Sequence, residues 1–128
     1  MAEQETTYSI SDLAREFGVT TRTIRHYEEL GLLAPRRVGQ ARLFSAADRI
    51  KLKLILRGKR LGFTLDESRE IIEMYDPEGN NVEQLQRLLE AIQAQRERLS
   101  SQLDDIAKMM RDLNEAEAAC LAALKEKR

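Results

Sequence analysis

Between residues 21 and 60 the chain carries eleven Lys and Arg against three Asp and Glu, a net charge of +8. The types matter as much as the sign. Arginine offers a planar fork that bridges the two major-groove acceptors of guanine, and threonine can meet a thymine methyl. Lysine and arginine also neutralise phosphates, which fixes register without reading sequence. Thr21, Arg22, Thr23, Arg25, His26 and Tyr27 crowd into one short segment, TRTIRHY, as candidates for base edges and nearby backbone. Arg36, Arg37, Arg42, Lys59 and Arg60 follow as candidates for phosphate. The bland alternative is a solvated helix surface, but the concentration of charge weighs against it. Catalytic chemistry has little to work with. His26 is the only histidine and Cys120 the only cysteine, with no metal-spaced cluster, nucleophile–base pair or glycine-rich phosphate loop nearby. No metal and no cofactor are expected, and the chain does not read as an enzyme.

The elements that must position these residues follow from capping and periodicity. Ser9 with Asp12 three residues later starts a helix whose Ile10, Leu13, Ala14 and Phe17 share a face, and Gly18 ends it. Thr20 starts a second, with Ile24, Tyr27 and Leu30 inward and Gly31 as the stop. Two short helices joined by a tight glycine turn form a helix-turn-helix. In residues 34–45, Arg36-Arg37-Val38 and Arg42-Leu43-Phe44 flank Gly39-Gln40, which predicts a two-stranded hairpin, a wing bearing three arginines. Ser45 and Asp48 cap the next helix, with Ile50, Leu54, Ile55 and Leu61 expected inside. Thr64 and Glu67 cap another, with Leu65, Ile71, Ile72 and Tyr75 inward. Residues 1–7 read as a polar, frayed end.

The sequence DPEGN at residues 76–80 is the clearest break, and from residue 81 to 125 there is neither Pro nor Gly. Leu85, Ile92, Leu99, Ile106, Leu113 and Cys120 recur every seven residues. Leu88, Met109 and Ala116 fill positions three residues later, Leu103 widens the stripe, and Gln95 and Gln102 weaken it. Such a pattern over about 45 residues predicts a coiled-coil helix. Nothing later in the chain covers the stripe, so a second copy is the economical partner, with Leu85, Leu88, Ile92, Leu99, Leu103, Ile106, Met109, Leu113 and Cys120 in the seam. The expected organisation is a DNA-binding head over residues 1–76, a linker at 77–81 and a dimerisation helix at 82–128. Residues 1–63 carry a net +5 and residues 64–128 a net −6, so an overall charge of −1 conceals a basic head on an acidic handle. The N-terminus has no basic start followed by an apolar stretch, and no run is long enough to span a membrane, so a cytoplasmic location is expected.

The order of these landmarks, ISDLAREFGVTTRTIRHYEELGLLAPRR, then ARLF, GKRLGF and a lone final helix, resembles the MerR family of bacterial transcription regulators. The resemblance implies a mainly α fold: a winged helix-turn-helix head with a small β-hairpin wing, then a long helix forming an antiparallel coiled-coil dimer. It implies binding to an inverted-repeat promoter operator in double-stranded DNA. It further implies activation by distorting that DNA so that RNA polymerase engages both promoter elements. Arg25, Tyr27, Arg42 and Lys59 stand at matching positions, and Phe44 stands where the family's wing has its second tyrosine, which makes it a candidate contact too. The chain departs from the pattern at His26, where the family often has an aromatic residue, and in Ala41-Arg42-Leu43-Phe44, which lacks the wing's tyrosine hydroxyls. Metal-sensing relatives use several cysteines. A single Cys120 at a heptad position reads as a small hydrophobe, with a redox role as the alternative. The segment LKLILRGKRLGF with SREIIEMYD is similar to the branch that regulates leucine and isovalerate breakdown, which implies a small organic effector. The competing class is a coiled-coil adaptor whose basic head binds a protein.

Overall fold

A hydroxyl side chain opens each of the first four helices in the computed structural model, which describes residues 6–127. Ser9, Thr20, Ser45 and Thr64 accept hydrogen bonds from the backbone N–H of Asp12, Thr23, Asp48 and Glu67, satisfying donors that have no partner within the helix. At Ser9, Ser45 and Thr64 the acidic residue returns the bond and closes a capping box. These caps set α1 (Ile10–Phe17), α2 (Thr21–Glu29), α3 (Ala46–Leu61) and α4 (Leu65–Glu73). Gly18 and Gly62 end α1 and α3 at φ of 66° and 83°, a left-handed turn that a side chain resists. The Ser9 backbone N–H also holds the Asp12 carboxyl below its ordinary pKa.

Strands β2 (Arg36–Val38) and β3 (Ala41–Ser45) form the expected hairpin around Gly39 and Gln40. A further strand, β1 (Thr7–Tyr8), pairs antiparallel with the other edge of β3, giving the order β1-β3-β2. The expectation of a frayed end therefore fails at Thr7; residues 1–5 lie outside the described residues. The physical reason is that β3 would otherwise leave an edge of unpaired backbone groups. Arg49 fastens this corner, lying 5.9 Å over the Tyr8 ring and 5.8 Å over the Phe17 ring while hydrogen-bonding Glu16. That bond holds the Glu16 carboxyl below its ordinary pKa.

The core gathers Leu13, Ile24, Tyr27, Leu32, Leu33, Phe44, Leu52, Ile55 and Ile72. Two expected core residues lie outside it: Leu61 is 40% exposed and Leu65 41%. Leu61 follows Leu52 by nine residues, about half a turn round the helix from the buried face, and Leu65 opens the exposed first turn of α4. Leu52 and Gly58 hold the buried face instead, with Ile50 and Leu54 half-buried at its flanks. Gly58 lies on the side of α3 that packs against Ser68 of α4. A Cβ there would stand 2.7 Å from the Ser68 Oγ and 3.4 Å from the Phe63 ring. Gly58→Ala is therefore expected to destabilise the head by about 1 kcal/mol, overpacking outweighing alanine's helix propensity. Thermal denaturation checks this, and adding Ser68→Ala should recover part of the loss; a more stable Gly58→Ala would contradict it.

The final helix, α5 (Val82–Glu126), runs for 45 residues. The chain divides into two compact units, Met1–Ala91 and Ile92–Arg128, and the first turns of α5 fall in the first of them. The connection at residues 76–81 is held by its own bonds. The Asp76 backbone N–H donates to Asn81 Oδ1 at 2.8 Å, and Asn81 Nδ2 donates to the Asp76 carbonyl at 3.0 Å. Buried Gln84 donates to the Ile71 carbonyl at 3.0 Å, and Arg87 meets Glu70 at 2.8 and 3.1 Å. Leu88, expected in the intermolecular seam, lines an apolar cleft of its own head with Leu54, Phe63, Ile71 and Ile72. It does so because Gln84, Leu88 and Ala91 recur at four and three residues and share one helix face. Leu85 and Leu89 stay exposed beside them.

In the second unit Leu99, Leu103, Ile106, Met109, Met110, Leu113, Leu121 and Leu124 are all exposed, as is Cys120. Taken with Leu85, Leu89 and Ile92, the apolar residues on sevens are joined four later by large apolar side chains (Leu89, Leu103, Met110, Leu124) with Arg96 and Glu117 between, and three later by Leu88 and Met109 with the small Ala116 and Ala123, where Gln95 and Gln102 also fall. Among the described residues no helix is long and apolar enough to cross a membrane.

Candidate nucleic-acid interface

Ile24 and Tyr27 anchor α2 in the core, and their burial turns Arg22, Arg25, His26 and Glu29 to the opposite, exposed side. Lys59, in the last turn of α3, joins them. Arg22, Thr23, Arg25, His26, Tyr27, Glu29 and Lys59 line one open concavity of about 600 Å³. Three permanent cations against one carboxylate give this open concavity a positive lining, which suits an anionic partner. The end of α2 is also fixed from outside: the Arg69 guanidinium donates to the Leu30 carbonyl at 2.8 Å, supplying a partner to a helix end.

The predicted residues do not all converge here. Thr21 is half-buried, and Thr23 is tied to the cap, its hydroxyl 3.0 Å from that of Thr20. Tyr27 belongs mainly to the core, with its ring centroid 5.9 Å from that of His26 and one edge on the concavity. Arg60 is exposed one residue beyond Lys59 but lies outside the lining.

Phe44 is a correction: its side chain is 0% exposed and forms part of the core, so it presents nothing to a ligand. Ring burial explains this, since Phe44 pairs with Tyr8 in the sheet and packs beneath it where a tyrosine hydroxyl would demand a partner.

The three wing arginines also separate. Arg37 and Arg42 stand directly opposite each other across β2 and β3, whereas Arg36 pairs with Leu43 and lies on the other face, beside Thr7, Ala34 and Asp48. Arg37 and Arg42 both reach Glu28 on α2, at 3.0 and 2.6 Å. Glu28 was not foreseen as a member of this surface. Its signal lay in being one of three acidic residues within the +8 stretch, at a helix position between the exposed and buried faces. Asp48 was foreseen only as a cap, yet it also accepts from the Ala34 backbone N–H at 3.4 Å, linking α3 to the entry of the wing. Among the described residues no group of three His, Cys, Asp or Glu is placed to hold a metal ion.

Comparison with known proteins adds to this geometry. Residues 8–75 match the family model described as MerR HTH family regulatory protein, and residues 49–116 match that described as MerR, DNA binding. The chain is 35% identical over 111 residues to the HTH-type transcriptional activator TipA of Streptomyces coelicolor, covering 85% of this chain and 40% of that protein. It is 32% identical over 111 residues to the HTH-type transcriptional regulator CueR of Salmonella typhimurium, covering 84% of this chain and 80% of that one. A solved MerR-family transcriptional regulator from Bacillus cereus superposes with a TM-score of 0.65 at 32% identity, covering 86% of this chain and 79% of that chain. The chain spans about half the length of several curated relatives that it matches.

Proposed function

The chain belongs to the MerR family of helix-turn-helix regulatory proteins, and from that premise we propose that it is a sequence-specific, DNA-binding regulator of transcription acting as a homodimer. The observation that carries the reading is the concavity on α2. Arg22, Arg25 and His26 project from an element anchored by Ile24 and Tyr27, with Lys59 beside them. In this reading α2 enters the major groove, Arg22 and Arg25 meet base edges, and Lys59, Arg37 and Arg42 meet phosphates. The uncovered stripe of α5 supplies the reason for a second chain, which in turn matches an inverted-repeat operator. Activation by distorting the promoter, with RNA polymerase as the functional partner, follows from the family and from the activator among its relatives. An organic effector would find little preformed room in the apolar cleft lined by Leu54, Phe63, Ile72 and Leu88, whose volume of about 10 Å³ admits at most one water.

Selection of duplexes from a random pool, followed by salt titration, tests the proposal. Arg25→Ala is expected to cost about 1–3 kcal/mol on the selected duplex and to relax the preference at one or two base pairs. Lys59→Ala should weaken all duplexes alike and flatten the log–log salt slope by about 0.9. An Arg25→Ala protein with unchanged affinity and base preference would remove α2 from the groove. Absence of duplex binding even at low salt would reject the function and favour a protein-binding head.

A further inference from the structure

We infer that Glu28 is a positioning residue that locks the wing's Arg37 and Arg42 to the recognition helix, holding down their attraction for arbitrary DNA while presenting them in one geometry to the correct site. The inference rests on the DNA-binding reading above and assigns a specificity role to a residue that need touch no nucleotide.

Arg37 and Arg42 face each other directly across two strands, a placement in which like charges repel. Glu28 stands between them. Its carboxylate accepts from Arg37 Nη2 at 3.0 Å through one oxygen and from Arg42 Nε at 2.6 Å through the other. The Glu28 side chain is 18% exposed and that of Arg42 21%, so water screens this bond less than it would a surface pair. Arg37, 51% exposed, is the looser arm.

Two consequences follow from charge and geometry. The trio carries a net +1 rather than +2, which lowers the counterion release that drives sequence-independent binding. A guanidinium has five N–H donors, and the bond through Nε leaves the Nη groups of Arg42 to face a phosphate from a fixed orientation. Because Glu28 sits on α2, a phosphate gripped by the wing also sets the depth of α2 in the groove. The ordering cost of a long side chain is thus met before binding, and the correct complex benefits more than a wandering one.

The test compares the wild type with Glu28→Gln, Arg37→Gln and the double variant. Each is titrated with a duplex selected from a random pool by the wild type, and with a scrambled duplex of the same composition, across a range of salt. Glu28→Gln is expected to bind the scrambled duplex more tightly, with a salt slope steeper by about 0.9 for each further phosphate engaged. Its selected-to-scrambled affinity ratio should fall by about twofold to tenfold, the cost of ordering one side chain on binding. Adding Arg37→Gln removes the surplus cation and should restore the slope. An unchanged slope and ratio in Glu28→Gln would overturn the inference while leaving DNA binding intact. Equal weakening on both duplexes, in step with a lowered melting temperature, would also overturn it, since Glu28 would then be a fold contact only. A wild type that selects no duplex from the pool sinks the functional reading and this inference with it, a pattern distinct from either of those.

Discussion

Leu99→Lys is expected to leave the head folded, to render the protein monomeric in sedimentation, and to abolish the preference for the selected duplex along with its tight binding. Leu99 is 48% exposed in the single chain and belongs to the exposed apolar stripe of α5. Burial of a leucine in a seam contributes about 1.5–3 kcal/mol, and a dimer contains the position twice. A lysine there loses that contribution and adds the cost of desolvating an ammonium, so the dimer dissociation constant should rise by about three orders of magnitude or more. The monomer keeps one basic head and so retains weak, salt-sensitive contact with any duplex. Gln102→Lys is the informative control. It occupies a position that the three-residue reading of the stripe would bury and the four-residue reading leaves at the margin. It should remain dimeric, and a Leu99→Lys protein that also sediments as a dimer would refute the seam.

Phe44→Ala is expected to be the most damaging single truncation in the head. Phe44 is fully buried, packed at the junction of β1, β3 and the helices, and its replacement leaves a cavity that the three-stranded sheet cannot close without breaking its register. Phenylalanine-to-alanine changes at such sites cost about 3–5 kcal/mol. Small domains have about 5–15 kcal/mol in total, so the variant should unfold far earlier in denaturant. Base preference of the fraction that remains folded should not change. A Phe44→Ala protein of normal stability and altered base preference would return the residue to the DNA surface.

Much of the head was legible because caps are local. Ser9, Thr20, Ser45 and Thr64 announce themselves three residues ahead of their partners, and Gly18 and Gly62 mark ends by a conformation that other residues avoid. β1 was illegible, since two residues contain no period and their pairing depends on an edge provided thirty-seven residues later by Phe44 and Ser45. Leu61 and Leu65 misled for a related reason: hydrophobicity marks a helix as having a buried face without saying how wide that face is. Leu88 fits two stripes at once, one toward its own α3 and α4 and one toward a partner, and only packing distinguishes them. On the candidate interface, Arg22, Arg25, His26 and Lys59 followed from type and spacing. Phe44 did not, because likeness to a motif position carries no information about burial. Glu28 was hidden because its importance lies in two arginines distant along the chain.

The four-and-three stripe of α5 has two interruptions, Arg96 and Glu117, where a fourth-residue step from Ile92 and Leu113 lands on a charge. Two copies running the same way would set arginine beside arginine and glutamate beside glutamate. Reversed about a point near Ile106, the same copies place each Arg96 level with the other's Glu117, and Leu103 level with Met110. The polarity of any such pairing would therefore be set by two side chains: one arrangement neutralises both interruptions, and the other doubles each of them.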